Sequence, residues 1–258
     1  MPTRPLLVHG QPLAGGRVPA VCTPLVARSH EALVDEARAL AALAPDLLEW
    51  RVDFFDGLAD AQRVVQAARA IREAAPGLPL LFTRRSQREG GERIAATEAQ
   101  VLAAYEAVCR ERLAEFVDWE MDGDAQGLAA VQRAARAAGA GLVLSFHDFQ
   151  RTPPAGEITQ RFTRAHMLGA DVAKLAVMPR GMHDVLALLE GMLAASESLP
   201  IPVVGMSMGP LGSLTRACGG AFGSALSFAV GRSASAPGQM PIGDLRAAIE
   251  VLRRAAAA

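Results

Sequence analysis

Of the 26 lysine and arginine residues in the chain one alone is a lysine, Lys174, inside the apolar run Asp171-Val-Ala-Lys-Leu-Ala-Val-Met-Pro179. A guanidinium stays charged at any pH a protein meets, whereas a lysine amine sheds its proton once desolvated or crowded by cations and then attacks carbonyls to form an imine. A lone lysine in a strand-like segment therefore points to carbonyl chemistry; an arginine-biased composition that spared one lysine by chance is the alternative. Ser145-Phe-His-Asp-Phe149 adds His147, an imidazole at what reads as a strand end, suited to moving protons near pH 7. His9, His30, His166 and His183 fall in a hairpin or on or beside helices and carry no such role.

Strand periodicity gathers further polar groups. In Leu48-Glu-Trp-Arg-Val-Asp53, residues Glu49, Arg51 and Asp53 share one face and Leu48, Trp50 and Val52 the other. By the same rule Asp118 and Glu120 lie opposite Val117, Trp119 and Met121, Ser145 and His147 lie opposite Leu144 and Phe146, and Lys174 shares a face with Val172 and Ala176. In a barrel the outward face packs on helices, so these groups point to the axis, toward the open mouth. An amine facing an imidazole, a carboxylate and several arginines fits chemistry in which an iminium is the electron sink. The arginines would favour the uncharged amine by charge repulsion and bind an anionic substrate. Structural ion pairs without chemistry are the competing reading.

The elements needed to position these groups are legible as short aliphatic runs alternating with longer Ala/Leu/Arg/Glu stretches, the rhythm of a parallel sheet. Strands are expected near 18–25, 46–54, 79–84, 115–121, 141–147, 171–178, 202–208 and 224–230. Helices are expected near 30–44, 59–75, 96–113, 124–138, 157–169, 182–195 and 242–257, with a short or irregular one after the seventh strand. Eight such units predict an α/β fold, a (β/α)8 TIM barrel formed as one domain over residues 1–258. Residues 1–17 read as a β-hairpin closing the barrel's lower end, and the alanine tail 255–258 is expected to fray.

With 258 residues, 51% of them hydrophobic and 5% aromatic, the chain can bury a large aliphatic core. A net charge of −1 and the lack of a Lys/Arg-rich block argue against nucleic-acid or membrane partners. Cys22, Cys109 and Cys218 are odd in number, far apart and without a CxxC spacing, so neither a disulfide framework nor a zinc site is expected. With no signal-like or membrane-spanning apolar run, a cytoplasmic protein is expected.

The fragments Glu49-Trp-Arg-Val-Asp53, Phe82-Thr-Arg-Arg-Ser86 with Glu89-Gly-Gly-Glu92, Asp118-Trp-Glu-Met121, Ser145-Phe-His-Asp148, Ala173-Lys-Leu-Ala-Val-Met-Pro179, Met206-Ser-Met208 with Arg216, and Ser235-Ala-Pro-Gly-Gln239 occur in one order along the chain. Together they resemble the type I 3-dehydroquinate dehydratases, Schiff-base enzymes of the shikimate route. The resemblance implies a hydro-lyase in which Lys174 condenses with the C3 ketone of 3-dehydroquinate. It implies that His147 acts as general acid and base and that Glu89 orients His147. It assigns Arg216 to the substrate carboxylate with Ser235 and Gln239 from a closing loop over 232–241, Glu49, Arg51 and Arg85 to the ring hydroxyls, and Met208 to an apolar wall. No metal or organic cofactor is implied, and a homodimer is. Trp119, Phe146 and the apolar loop Gly209–Arg216 depart from the family's usual residues; the two aromatics sit on expected outward faces and bear on packing. A class I aldolase-type lyase and a non-catalytic barrel that binds a hydroxy acid are the alternatives.

Overall fold

The computed structural model describes residues 3–232 and 235–256, and within them eight parallel strands alternate with helices. After a hairpin of β1 (Leu7–Val8) and β2 (Gln11–Pro12) come β3 (Ala20–Leu25), β4 (Leu47–Arg51), β5 (Leu80–Thr83), β6 (Phe116–Glu120), β7 (Gly141–Asp148), β8 (Val172–Val177), β9 (Val203–Ser207) and β10 (Leu226–Phe228). Each of β3 to β9 pairs in parallel with the next, and β10 pairs with β3. The ring is completed by a parallel bridge between Val203 and Ser224 and by Ala225 N–H donating to the Val203 carbonyl at 2.8 Å. The expected TIM barrel is thus present with all eight expected strands. One boundary differs: β4 stops at Arg51, and Val52–Phe54 forms a 3-10 turn, which puts Asp53 just past the strand end.

Alternate strands share one device at the barrel's lower rim. Asp46, Glu115 and Asp171, each just before β4, β6 or β8, accept a backbone N–H from the preceding strand (Val21, Leu80 and Leu142, all at 2.7 Å). Their own N–H groups donate back to the carbonyls of the same three residues. Strand starts that lack an earlier partner are satisfied in this way. Below them the hairpin turns through His9 and Gly10, both at positive φ as a two-residue hairpin loop requires. Leu6 and Leu13 are buried against Leu47, Leu81, Phe116, Val143 and Val172, so the hairpin forms the floor as expected.

The helices are α1 (His30–Ala42), α2 (Ala61–Ala74), α3 (Glu98–Arg110), α4 (Ala125–Ala138), α5 (Ala155–Met167), α6 (Met182–Ser198), α7 (Gly209–Cys218) and α8 (Ile242–Ala256). Ser29, Asp60, Thr97 and Asp124 cap the first four by accepting backbone N–H groups. Outward strand residues meet helix residues in the layer beneath the helices: Trp50, Phe82, Tyr105 of α3 and Trp119 run edge to face in series, centroids 5.5, 4.8 and 5.4 Å apart. Trp119 and Phe146 both lie in this outer layer, the latter under the Arg161 guanidinium at 3.8 Å. The segment after β9, read from sequence as short or irregular, is the ten-residue helix α7 followed by a 3-10 turn over Gly219–Phe222. It rests directly on the end of β9: a Cβ on Gly212 would lie 2.2 Å from the Ser207 carbonyl oxygen. No helix is long and apolar enough to cross a membrane among the described residues.

Candidate active site

A cavity of about 460 Å³, its mouth included, opens at the C-terminal ends of the strands. Lys174, His147, Glu89, Glu49, Arg51, Arg85, Met208, Arg216, Ser235 and Gln239 all line it, so the residues to which the resemblance assigned roles come to one place. Catalytic groups of TIM barrels gather at this face.

Lys174 projects from β8 with its side chain 5% exposed. Its Nζ lies 3.1 Å from Glu49 Oε1, 3.4 Å from Asp118 Oδ2 and 4.5 Å from the centroid of the Phe228 ring. The expectation of cations around the amine is therefore corrected: its immediate charged contacts are two carboxylates. Arg85 stands behind Asp118. It donates to Asp118 Oδ1 (2.6 Å), Ser145 Oγ (2.8 Å) and Glu120 Oε1 (3.4 Å), and it lies 3.6 Å from Glu89. Burial opposes its charge, but Asp118, Glu120, Glu89 and Glu49 together raise its pKa above the ordinary arginine value. A guanidinium so engaged organises carboxylates while still lining the cavity. Burial would push the Asp118 carboxyl up, yet Arg85, Lys174 and the Ser145 hydroxyl outweigh it and hold it below its usual value. Tyr105 ties this layer to α3, donating to the Asp118 carbonyl at 2.6 Å and accepting the Arg84 N–H at 2.9 Å.

His147 faces Glu89, which follows β5 in a 3-10 turn. Glu89 Oε2 is 2.9 Å from Nδ1 and accepts the His147 backbone N–H at 3.0 Å. Burial, then Arg85, Lys174 and Arg51, hold the imidazole well below its ordinary 6.5, so the ring is neutral at pH 7. Burial and then Glu120 push the Glu89 carboxyl up to about 8 against Arg85. With Glu89 ionised, Nδ1–H donates to it and Nε2 keeps its lone pair, the arrangement of an oriented base.

The mouth carries the anion-binding groups. Arg51 is gripped by Asp53 in a two-point pair (Nε to Oδ1 2.8 Å, Nη2 to Oδ2 2.7 Å), leaving Nη1 to reach the Ser235 carbonyl at 3.4 Å. Arg216, from α7, is 1% exposed and has no carboxylate partner among the described residues. It donates to the Phe228 carbonyl (3.3 Å) and the Pro237 carbonyl (3.1 Å), and burial pushes its pKa down to about 10. A buried guanidinium without a counter-charge is a site for an anion. The expected loop lies across the opening, although residues 233 and 234 fall outside the described ones. Ser235 N–H donates to Gln239 Oε1 at 3.0 Å, Gln239 Nε2 donates to Ser235 Oγ at 3.3 Å, and Gly209 N–H holds the Pro237 carbonyl at 3.2 Å.

Among the site residues given no role from the sequence are Asp118 and Ser145, placed only on the inner face, and Phe228. Phe228 shares a strand face with Leu226 opposite Ser227, so its inward direction could have been read from periodicity.

Residues 21–255 match the family described as type I 3-dehydroquinase. The 3-dehydroquinate dehydratases of Aromatoleum aromaticum and Albidiferax ferrireducens are each 49% identical to the chain, over 98% of it and 97% and 96% of their own lengths. The crystal structure of 3-dehydroquinate dehydratase from Geobacillus kaustophilus superposes with a TM-score of 0.93 at 40% identity, covering 96% of both chains. The type I enzyme from Clostridium difficile, solved with covalent modified comenic acid, superposes at 0.91 and 33% identity, covering 98% of this chain and 99% of its own. Sequence and barrel geometry agree along nearly the whole length: the chain belongs to the type I 3-dehydroquinate dehydratase family.

Proposed function

We infer that the protein is a hydro-lyase that converts 3-dehydroquinate to 3-dehydroshikimate through an imine on Lys174. The observation that carries this reading is a sole lysine buried 3.1 Å from a carboxylate in a cavity that also holds the Glu89–His147 pair and an anion-ready Arg216. The amine condenses with the C3 ketone, and the iminium draws electrons from C2. His147 removes the C2 proton, giving an enamine, and returns a proton to the C1 hydroxyl as it departs as water. Hydrolysis then frees Lys174. Glu89 positions His147, and Arg216 grips the substrate carboxylate, with Ser235 and Gln239 closing above it. Arg51 and Glu49 face the ring hydroxyls, Met208 forms an apolar wall, and Arg85 holds the carboxylates in place.

Growth of ultraviolet absorbance from the conjugated product, when purified protein meets 3-dehydroquinate, tests this reading; a flat trace with folded protein contradicts it. Three free cysteines, two of them buried, support a cytoplasmic location. The exposed Met182 and Leu186 on α6 and Leu211 and Leu214 on α7, helices that pack together, support a homodimer, which light scattering checks.

A further inference from the structure

An amine attacks a carbonyl carbon only with its lone pair free, so the Lys174 ammonium must first hand a proton to an acceptor within hydrogen-bond reach. Two groups qualify, Glu49 Oε1 at 3.1 Å and Asp118 Oδ2 at 3.4 Å. They are not equivalent. Asp118 already accepts from Arg85 at 2.6 Å and Ser145 at 2.7 Å, and those partners hold it ionised. Glu49 has one other donor, the Thr83 hydroxyl at 3.0 Å, on the same oxygen that faces Nζ. Among the described residues no guanidinium pairs with Glu49 and its Oε2 has no hydrogen-bond partner. We propose that Glu49 takes the proton from the Lys174 ammonium and that Asp118 stays ionised to hold the iminium that follows. The assignment rests on the imine reading above.

The step balances. Lys174 NH₃⁺ and Glu49 COO⁻ become NH₂ and COOH. The nitrogen lone pair forms the C–N bond while the carbonyl π pair moves to oxygen. A proton shifts from nitrogen to that oxygen, giving a carbinolamine. Glu49 then returns its proton to the carbinolamine hydroxyl, which leaves as water, and the cationic C=N–H is left beside Asp118. The other groups around Nζ do not serve. His147 of β7 is tied through Nδ1 to Glu89, and no hydrogen bond joins it to the amine. Burial and then Glu49 push the Cys22 thiol of β3 well up. Arg51, Arg85 and Arg216 accept no proton.

The test is the rate at which borohydride tethers 3-dehydroquinate to the protein, followed by intact mass from about pH 6 to about pH 9. In the native protein this rate is level near neutrality. In Glu49→Gln it is slowed at least about tenfold at neutral pH and climbs about tenfold per pH unit as hydroxide takes over. Asp118→Asn lowers the rate at all pH values without introducing that slope. Thr83→Val keeps the carboxylate but removes the other donor on its Oε1, so trapping at neutral pH quickens, and it remains informative if Glu49→Gln does not fold. Native-like pH dependence in Glu49→Gln, or an unchanged rate in Thr83→Val, overturns the role of Glu49. A native protein that is never tethered overturns the imine reading instead.

Discussion

Glu89 Oε2 meets Nδ1 of His147 at 2.9 Å and takes the backbone N–H of the same residue at 3.0 Å. One oxygen thus fixes both the ring and the chain that carries it. His147→Ala is expected to lower kcat by about 10²- to 10⁴-fold, the usual worth of a positioned acid-base group, while imine trapping persists. Glu89→Gln keeps the ring and loses only its charged anchor, so its kcat falls less. Steady-state kinetics of the two variants check the order; a Glu89→Gln enzyme slower than His147→Ala contradicts the positioning role.

The same pair sets a pH dependence. Burial and Glu120 push Glu89 up to about 8, while His147 is held well below 6.5. Below about 8 the unit carries one proton more than above it, shared as a coupled pair. Loss of that proton frees the base, so kcat/KM rises with pH through this region, and Glu89→Gln removes the rise. Stability runs the other way. Between the unfolded value of 4.5 and about 8 the folded state binds the extra proton, so Glu89 favours folding fully below 4.5 and loses that contribution as pH climbs to about 8. Thermal melts of Glu89→Gln therefore gain on the native protein more at about pH 9 than at about pH 5. An equal difference at both contradicts the shift.

Arg216, buried without a counter-charge, is the substrate's anchor in this account. A hydrogen bond to a charged group is worth about 1.5–3 kcal/mol, so Arg216→Lys, which loses the fork, is expected to raise KM about 10- to 100-fold with a smaller change in kcat. Added carboxylate ligand raises the melting temperature of the native protein and not of this variant. A variant with native KM assigns the carboxylate elsewhere.

Gly238 has φ +77, and a Cβ there would sit 2.2 Å from the Gly209 carbonyl oxygen. Alanine at this position strains the backbone by about 1–2 kcal/mol and blocks the seating of the loop on α7. Gly238→Ala is expected to keep the barrel's melting temperature within a few degrees and to impair both kcat and KM through lost closure. Unaltered kinetics would show that the loop need not seat there.

The barrel was legible because each strand carries its own period-two pattern: the outward Leu48, Trp50 and Val52 and the inward Glu49 and Arg51 declare their faces without reference to any other segment. What the sequence could not express is which inward residues meet. That depends on cross-strand register: Lys174 stands beside Ser145, which stands beside Glu120, while Asp118 pairs with Thr83. Hence the amine was expected among arginines and is found between Glu49 and Asp118. Helix α7 was faint for a different reason. Four glycines and a proline between 209 and 220 weaken its periodicity, yet the close approach at Gly212 is what brings Arg216 over the cavity.

The central claim is a covalent bond between the substrate ketone and Lys174 Nζ. Peptide mapping by mass spectrometry after the protein is reduced with borohydride in the presence of 3-dehydroquinate tests it most directly. The expected result is a single adduct on the peptide containing Lys174, dependent on substrate and lost in Lys174→Ala. Turnover by native protein without any such adduct, or an adduct on another residue, would contradict it.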